Sequence, residues 1–167
     1  MTSDNCITIP LTQGYEAIVD ERDADLANHK WYVLTNKHSN VYAARETFPN
    51  GKRTTLLMHR VIMERSLGAS LEKAIEVDHE NNNGLDNRRD NLRTATRAQN
   101  SHNSKKPRHN TSGYKGVSLY KPNNKWRAYI NLNRKRIYLG YFDTPLEAYK
   151  AYCKAAEQYH GEFARLE

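Results

Sequence analysis

The chain reads as an α+β protein, β-rich at its N-terminus and ending in a three-stranded antiparallel sheet packed on one helix. Three observations carry this reading. Short apolar stretches separated by turn residues fill the first sixty positions, strand-like alternation recurs three times between Gly113 and Phe142, and a capped, helix-periodic segment follows Thr144. With 167 residues, 38% hydrophobic and 27% charged, the chain can form one ordinary domain or two small ones.

In the first region, strands are expected at 6–11, 16–19, 31–35, 41–47 and 54–58, with turn signals at Gln13-Gly14 and Pro49-Asn50-Gly51. The acidic stretch 20–25 starts a short helix ending near Asn28, and 59–67 forms a short buried helix stopped by Gly68. In the last region, strands are expected at 113–120, 125–132 and 136–142. Thr144-Pro145-Leu146-Glu147 is a capping box with proline in the first helical position. Ala148, Ala151, Tyr152, Ala155 and Tyr159 then recur at helical spacing until Gly161. Strand alternation puts Trp126, Ala128 and Ile130 on one face with Ile137 and Leu139, packed on the helix. It puts Arg127, Tyr129, Asn131, Arg136 and Tyr138 on the other, with Lys115 and Tyr120 completing that outward surface.

Charge separates the two regions. Residues 1–100 hold 13 Lys and Arg against 14 Asp and Glu, whereas 101–167 hold 13 against 5. From Ser101 to Gly140 there are ten basic residues and no acidic one. A near-neutral body carrying a cationic module favours a polyanionic partner. The polar, basic stretch 105–112 between the two regions has the composition of a linker. Cys6 and Cys153 form no Cys-x-x-Cys pair, which excludes a structural zinc ribbon and fits free thiols in a reducing cytoplasm. No apolar run approaches the length that spans a membrane, and no signal peptide is expected.

Between Asp78 and Asn100 the sequence departs from any core pattern, being crowded with Asn, Asp, Arg and His. Phosphodiester hydrolysis needs an activated water, a Lewis acid at the phosphate and stabilisation of the leaving oxygen. His79 suits the base, because an imidazole titrates near working pH. Asp78 supplies an anionic oxygen for a hard cation. Thr96-x-x-Gln99 is a capping box for a short helix with Asn100 and Asn103 on one face, so Asn100 can offer a carbonyl oxygen across from Asp78. Two oxygen ligands with phosphate and water suit Mg2+ or Mn2+ better than zinc. Neighbouring strand residues point to opposite faces, as a base and a metal ligand on opposite sides of one phosphorus require. Arg88, Arg89, Arg93 and Arg97 form either a solvated face or a phosphate clamp, with Arg93 and Arg97 the candidates for DNA. Lys105 and Lys106 can follow a phosphate backbone. His59 is either a histidine at the edge of the core or a phosphate contact, and His102 and His109 are read as solvated or touching backbone.

The spacing Asp78-His79, Asn91, Asn100 resembles the HNH (ββα-metal) endonucleases, above all the small phage and intron-associated homing-type enzymes. The resemblance includes Ile9-Pro-Leu-Thr, Ala17-Ile-Val-Asp, Lys30-Trp-Tyr, Met58-His-Arg and Asn91-Leu-Arg. It implies that Asp78 and Asn100 hold the metal, that His79 is the general base, and that Asn91 braces the loop orienting His79. The implied products are a 5′-phosphate and a 3′-hydroxyl. Tyr114-Lys-Gly-Val, Lys125-Trp-Arg-Ala and Ile137-Tyr-Leu-Gly-Tyr-Phe-Asp-Thr, with the helix after them, resemble the plant ethylene-response-factor (apetala-two type) DNA-binding domain. Such domains lay the open sheet face in the major groove. The chain departs from the plant pattern at Ser118, Tyr120 and Asn131, so the plant target sites do not carry over.

The expected organisation is an HNH domain over 1–104 with its ββα-metal core at about 74–104, a linker at 105–112, and a DNA-binding domain over 113–167. The expected activity is cleavage of double-stranded DNA by a monomer or homodimer in the cytoplasm, the host's if a phage encodes it. The alternatives are a DNA-binding transcriptional regulator with an inactive HNH centre, and a nuclease directed at RNA.

Overall fold

The computed structural model describes residues 5–37, 39–104, 106–107, 109–132 and 135–166. Its chain contacts divide into two compact units, Met1–Arg97 and Ala98–Glu167. Each has the mixed α+β character predicted from sequence.

The first unit opens with a hairpin of β1 (Cys6–Pro10) and β2 (Glu16–Asp20), paired antiparallel with Ile9 opposite Ala17. A short 3-10 segment, Glu21–Asn28, buries Asp23 and Leu26. Three antiparallel strands follow in the order β3 (Tyr32–Thr35), β4 (Val41–Thr47), β5 (Thr54–Leu57). The turn between β4 and β5 is the Pro49–Gly51 signal, with Asn50 at φ 52°, a left-handed conformation that asparagine tolerates. Helix α1 (Met58–Leu67) ends on Gly68 at φ 65°, whose N–H bonds back to the last turn. β6 (Glu76–His79) and β7 (Leu92–Ala95) then pair antiparallel. Ile9, Val19, Leu26, Trp31, Met58, Ile62, Val77 and Leu92 share one core, which anchors β6 and β7 on α1 and the N-terminal hairpin.

The second unit begins with the short helix α2 (Arg97–His102), most of which falls in this unit. β8 (Val117–Tyr120), β9 (Lys125–Leu132) and β10 (Lys135–Phe142) form an antiparallel sheet in the order β10-β9-β8. Helix α3 (Pro145–His160) carries the expected capping box: Thr144 accepts from the Glu147 N–H while Glu147 accepts from the Thr144 N–H. Ala128 and Ile130 are fully covered by α3 residues Ala148, Tyr152, Ala155 and Ala156, with Trp126, Ile137 and Leu139 packed alongside.

Three details differ from the sequence expectation. The first strand of the sheet starts at Val117 rather than Gly113, because Gly113 and Gly116 have positive φ and break the ladder. A Cβ at Gly116 would collide with the Tyr152 ring and the Tyr129 carbonyl. Tyr159, expected in the core, is 41% exposed; Ala156 packs there instead, with Ala164 and Leu166 returning from the C-terminal segment. A bulge between Tyr138 and Gly140 shifts the β9–β10 register so that Tyr141 stands opposite Arg127.

Candidate active site and nucleic-acid interface

The residues from Asp78 to Asn91 are held by two adjoining devices. The first is the β6–β7 ladder, in which Asp78 faces Arg93 and His79 faces Leu92. The second is the polar loop between the strands, which lies along β2: Ile18 donates its N–H to the Leu85 carbonyl, and Asn87 donates its N–H to the Ile18 carbonyl. Gly84 is where this loop passes closest to β4, since a Cβ there would strike the Val41 carbonyl and the Tyr42 ring. The loop is therefore fixed by backbone bonds and close packing on both sides.

Within this frame His79 is 5% exposed, and its Nε2 lies 3.3 Å from Asn87 Oδ1. Asn87 donates its own amide to the Leu85 carbonyl, which turns its oxygen towards the imidazole. An amide oxygen facing Nε2 suits the tautomer with its proton on Nε2. Burial depresses the His79 pKa, against the opposing pull of the Asn87 hydrogen bond and the Asp78 and Asp86 charges, so the ring favours its neutral form. The His59 ring packs edge-on against it at 4.9 Å, and Tyr42 flanks both. Burial, with His79 and Arg60 nearby, drives His59 down to about 3. His59 therefore packs as a neutral ring against His79 and Tyr42, and its buried Nδ1 has no hydrogen-bond partner among the described residues.

Asn91 holds the loop at its far end. Its Nδ2 donates to the Asp86 carbonyl at 2.7 Å, and its Oδ1 accepts the Asn81 N–H at 3.0 Å. Asn87, which sequence reasoning passed over, brings its amide oxygen to the imidazole Nε2. Its role depends on the loop folding back on β2, and nothing in the local sequence signals that.

Asp78 is 5% exposed and accepts from Arg93 Nε and Nη2 on one oxygen, at 3.0 and 2.9 Å. The neighbouring arginines are also engaged inside the fold. Arg88 grips Asp86 through two nitrogens at 2.8 and 2.7 Å, which holds that carboxyl below its usual range. Arg89 grips the fully buried Asp23, which also accepts from Arg65. Three of the four arginines expected as a solvated face or clamp thus brace carboxylates; Arg97, at the start of α2, is exposed.

Asn100 sits on α2, partly buried, and Asn103 just beyond the helix is 5% exposed. Among the described residues no three His, Cys, Asp or Glu side chains gather as a closed metal cage. The buried carboxylate of Asp78 is by its chemistry an oxygen donor for a hard divalent ion that keeps water and phosphate ligands.

The outward face of the β8–β10 sheet is built from tyrosine and arginine. The Arg127 guanidinium lies 5.4 Å from the Tyr120 ring and 5.2 Å from Tyr138, and Arg136 lies 4.2 Å from Tyr129. Asn131 and Arg136 are exposed, and Tyr138 is 57% exposed. Tyr141, 49% exposed, joins this face through the β10 bulge, so strict alternation misses it. Lys115, expected on the same surface, instead donates to the carbonyls of His102 and Ser104, each at 2.7 Å. Lys106 donates to the Gly113 carbonyl, and Lys105 lies outside the described residues.

Comparison with known proteins agrees with both halves. Residues 56–102 match the HNH endonuclease family model, and 112–162 match the AP2 domain model. The chain therefore carries an HNH endonuclease-type domain followed by an AP2-type domain. Protein 3.8 of Escherichia phage T7 is 36% identical over 96 residues, covering 58% of this chain and 78% of that protein, and the chain belongs to its family. The AP2-like ethylene-responsive transcription factor TOE2 of Arabidopsis thaliana is 40% identical over 55 residues, 33% of this chain but 11% of the plant protein. APETALA2-like protein 2 of Oryza sativa subsp. indica matches to the same extent, over 13% of its length. No described helix is long and apolar enough to cross a membrane.

Proposed function

We propose that the chain is a divalent-metal-dependent endonuclease that hydrolyses phosphodiester bonds in double-stranded DNA, of the homing type, with site preference supplied by the AP2 domain. The observation that carries this is the buried imidazole of His79 at the end of β6, its Nε2 3.3 Å from Asn87 Oδ1 on the loop that Asn91 braces. Nδ1 takes the proton from a water as that water attacks phosphorus. Asn91 keeps the loop, and through it Asn87, in place. Asp78 and Asn100 would hold the ion, Mg2+ or Mn2+, which supplies Lewis-acid polarisation of the phosphate and stabilises the leaving 3′-oxygen. Arg93 limits how far the Asp78 carboxylate can turn. The products are a 5′-phosphate and a 3′-hydroxyl. Arg127, Tyr129, Asn131, Arg136, Tyr120, Tyr138 and Tyr141 contact the groove, while Arg97, Lys105 and Lys106 contact phosphates. The HNH domain is assigned to 1–104 and the DNA-reading domain to 113–167, acting as a monomer or homodimer in the host cytoplasm.

The Asp78–Arg93 ion pair also favours a second reading, a DNA-binding regulator in which the guanidinium has taken the metal's place. Cleavage of supercoiled plasmid in Mg2+, compared between wild type and His79→Ala, separates the two. The endonuclease reading expects a loss of about 10^2–10^4 in rate for the variant at unchanged DNA affinity, and no cleavage in EDTA. Wild-type protein that binds the plasmid yet leaves it intact over a range of Mg2+ and Mn2+ would establish the regulator instead.

A further inference from the structure

The stretch between the two halves was expected to begin as a free linker soon after α2. Instead, the end of α2 is fastened to the DNA-reading domain from two sides. Lys115, one residue before the tight Gly116 turn that leads into β8, reaches back with its ammonium to the carbonyls of His102 and Ser104, at 2.7 Å each. These carbonyls close the C-terminal end of α2, where a cation also meets the negative pole of the helix. Burial, with Arg165 near, lowers the Lys115 pKa to about 8, so the ammonium has been largely withdrawn from solvent to make these bonds. On the other side, the His102 ring stacks on His160, with centroids 3.6 Å apart and planes 11° from parallel. His160 closes α3 and bonds through Nε2 to the Asn131 carbonyl of β9. Past the helix, Lys106 to the Gly113 carbonyl and Asn110 to the Tyr114 carbonyl continue the attachment.

We infer that Lys115 and His160 are positioning residues for Asn100: the DNA-reading domain grips the short helix carrying that amide and sets where its carbonyl oxygen stands. This rests on the proposed role of Asn100 as a metal ligand. A helix of six residues has too few internal hydrogen bonds to hold its own geometry, so its orientation comes from what fastens its end. Residues behind a metal ligand set its aim, and removing them weakens metal binding by about tenfold or more. Lys115, which the sequence reading gave to DNA, acts through Asn100 instead.

The test uses the full chain and three variants, Lys115→Met, His160→Gln and Asn100→Ala. Lys115→Met keeps the aliphatic stem and removes the ammonium; His160→Gln removes the stacked ring and keeps a donor for the Asn131 carbonyl. Amide hydrogen exchange without metal or DNA reports the helix directly. The amides of 98–104 should exchange about tenfold faster in Lys115→Met, while those of β9 and β10 stay unchanged. The Mn2+ concentration for half-maximal plasmid cleavage should rise about tenfold in Lys115→Met and less in His160→Gln, with duplex affinity in EDTA kept within about twofold. Lys115→Arg should restore both readouts. If Lys115→Met loosens the whole sheet, His160→Gln decides alone. Unchanged exchange at 98–104, or an unchanged Mn2+ requirement while Asn100→Ala shifts it, overturns the positioning role and leaves the metal reading standing. If Asn100→Ala does not move the Mn2+ requirement either, the metal reading falls and the inference falls with it.

Discussion

The two halves of the chain use most of their arginines differently. In the first unit, guanidinium groups are matched to carboxylates: Arg65 and Arg89 to Asp23, Arg88 to Asp86, Arg93 to Asp78 and Arg53 to Glu46. In the AP2 domain, Arg127 and Arg136 lie over tyrosine rings, and Lys125 pairs with Asp143 at the surface. The near-neutral body and the cationic module seen in the sequence are therefore two structural economies. One matches arginines to carboxylates, Arg88, Arg89 and Arg93 of them in and around the polar loop, and the other sets Arg127 and Arg136 over tyrosines on the outward sheet face. Counting basic residues near a catalytic motif overstates how many can reach DNA.

The contrast can be broken from either side. The largest effect is expected at His79→Ala, which should abolish cleavage and spare binding, as set out above. Next is Asp23→Ala, which leaves Arg89 and Arg65 without their shared buried carboxylate. Removing one partner of such a pair should cost the first unit about 3 kcal/mol, read as an earlier urea transition for β6 and β7 amides while the β9 and β10 amides keep theirs. A shift of both units together would deny that the charges are consumed locally. Arg127→Glu should act on the other unit only. It should weaken preference for the favoured site by about 1–3 kcal/mol at unaltered stability of the first unit, and an unchanged preference would remove the sheet face from the interface.

The smallest effect concerns acid. Arg88 holds the Asp86 carboxyl below its usual range. A carboxylate depressed in the folded state stabilises above its unfolded pKa and loses that contribution as pH falls through the folded one. Asp86→Asn should therefore be less stable than wild type at neutral pH, with the gap narrowing as pH drops below about 4. A gap independent of pH would mean that Asp86 acts only through its hydrogen bond to Asn81.

Much of this was legible in the sequence because the signals were local. Thr144, Pro145 and Glu147 mark the start of α3, and Pro49-Asn50-Gly51 fixes the β4–β5 turn. The Asp78-His79 pair with Asn91 pointed to the β6 strand and the polar loop after it as the candidate site. What escaped were relations between distant positions. Asp23 and Arg89 are 66 residues apart in the chain, and Asn87 reaches His79 only because the loop lies along β2. Tyr141 joins the outward face through one bulged residue, which reverses the alternation that periodicity assumes.

Cutting by His79 and choosing by the AP2 sheet face can be tested together by sequencing cleavage ends from a genomic fragment library. Wild type should give ends clustered at preferred sites, Arg127→Glu should give ends with the same 5′-phosphate and 3′-hydroxyl chemistry scattered over many sites, and His79→Ala should give none above background. Ends from Arg127→Glu that coincide with those of wild type, or ends that persist in His79→Ala, would contradict the division of labour between the two units.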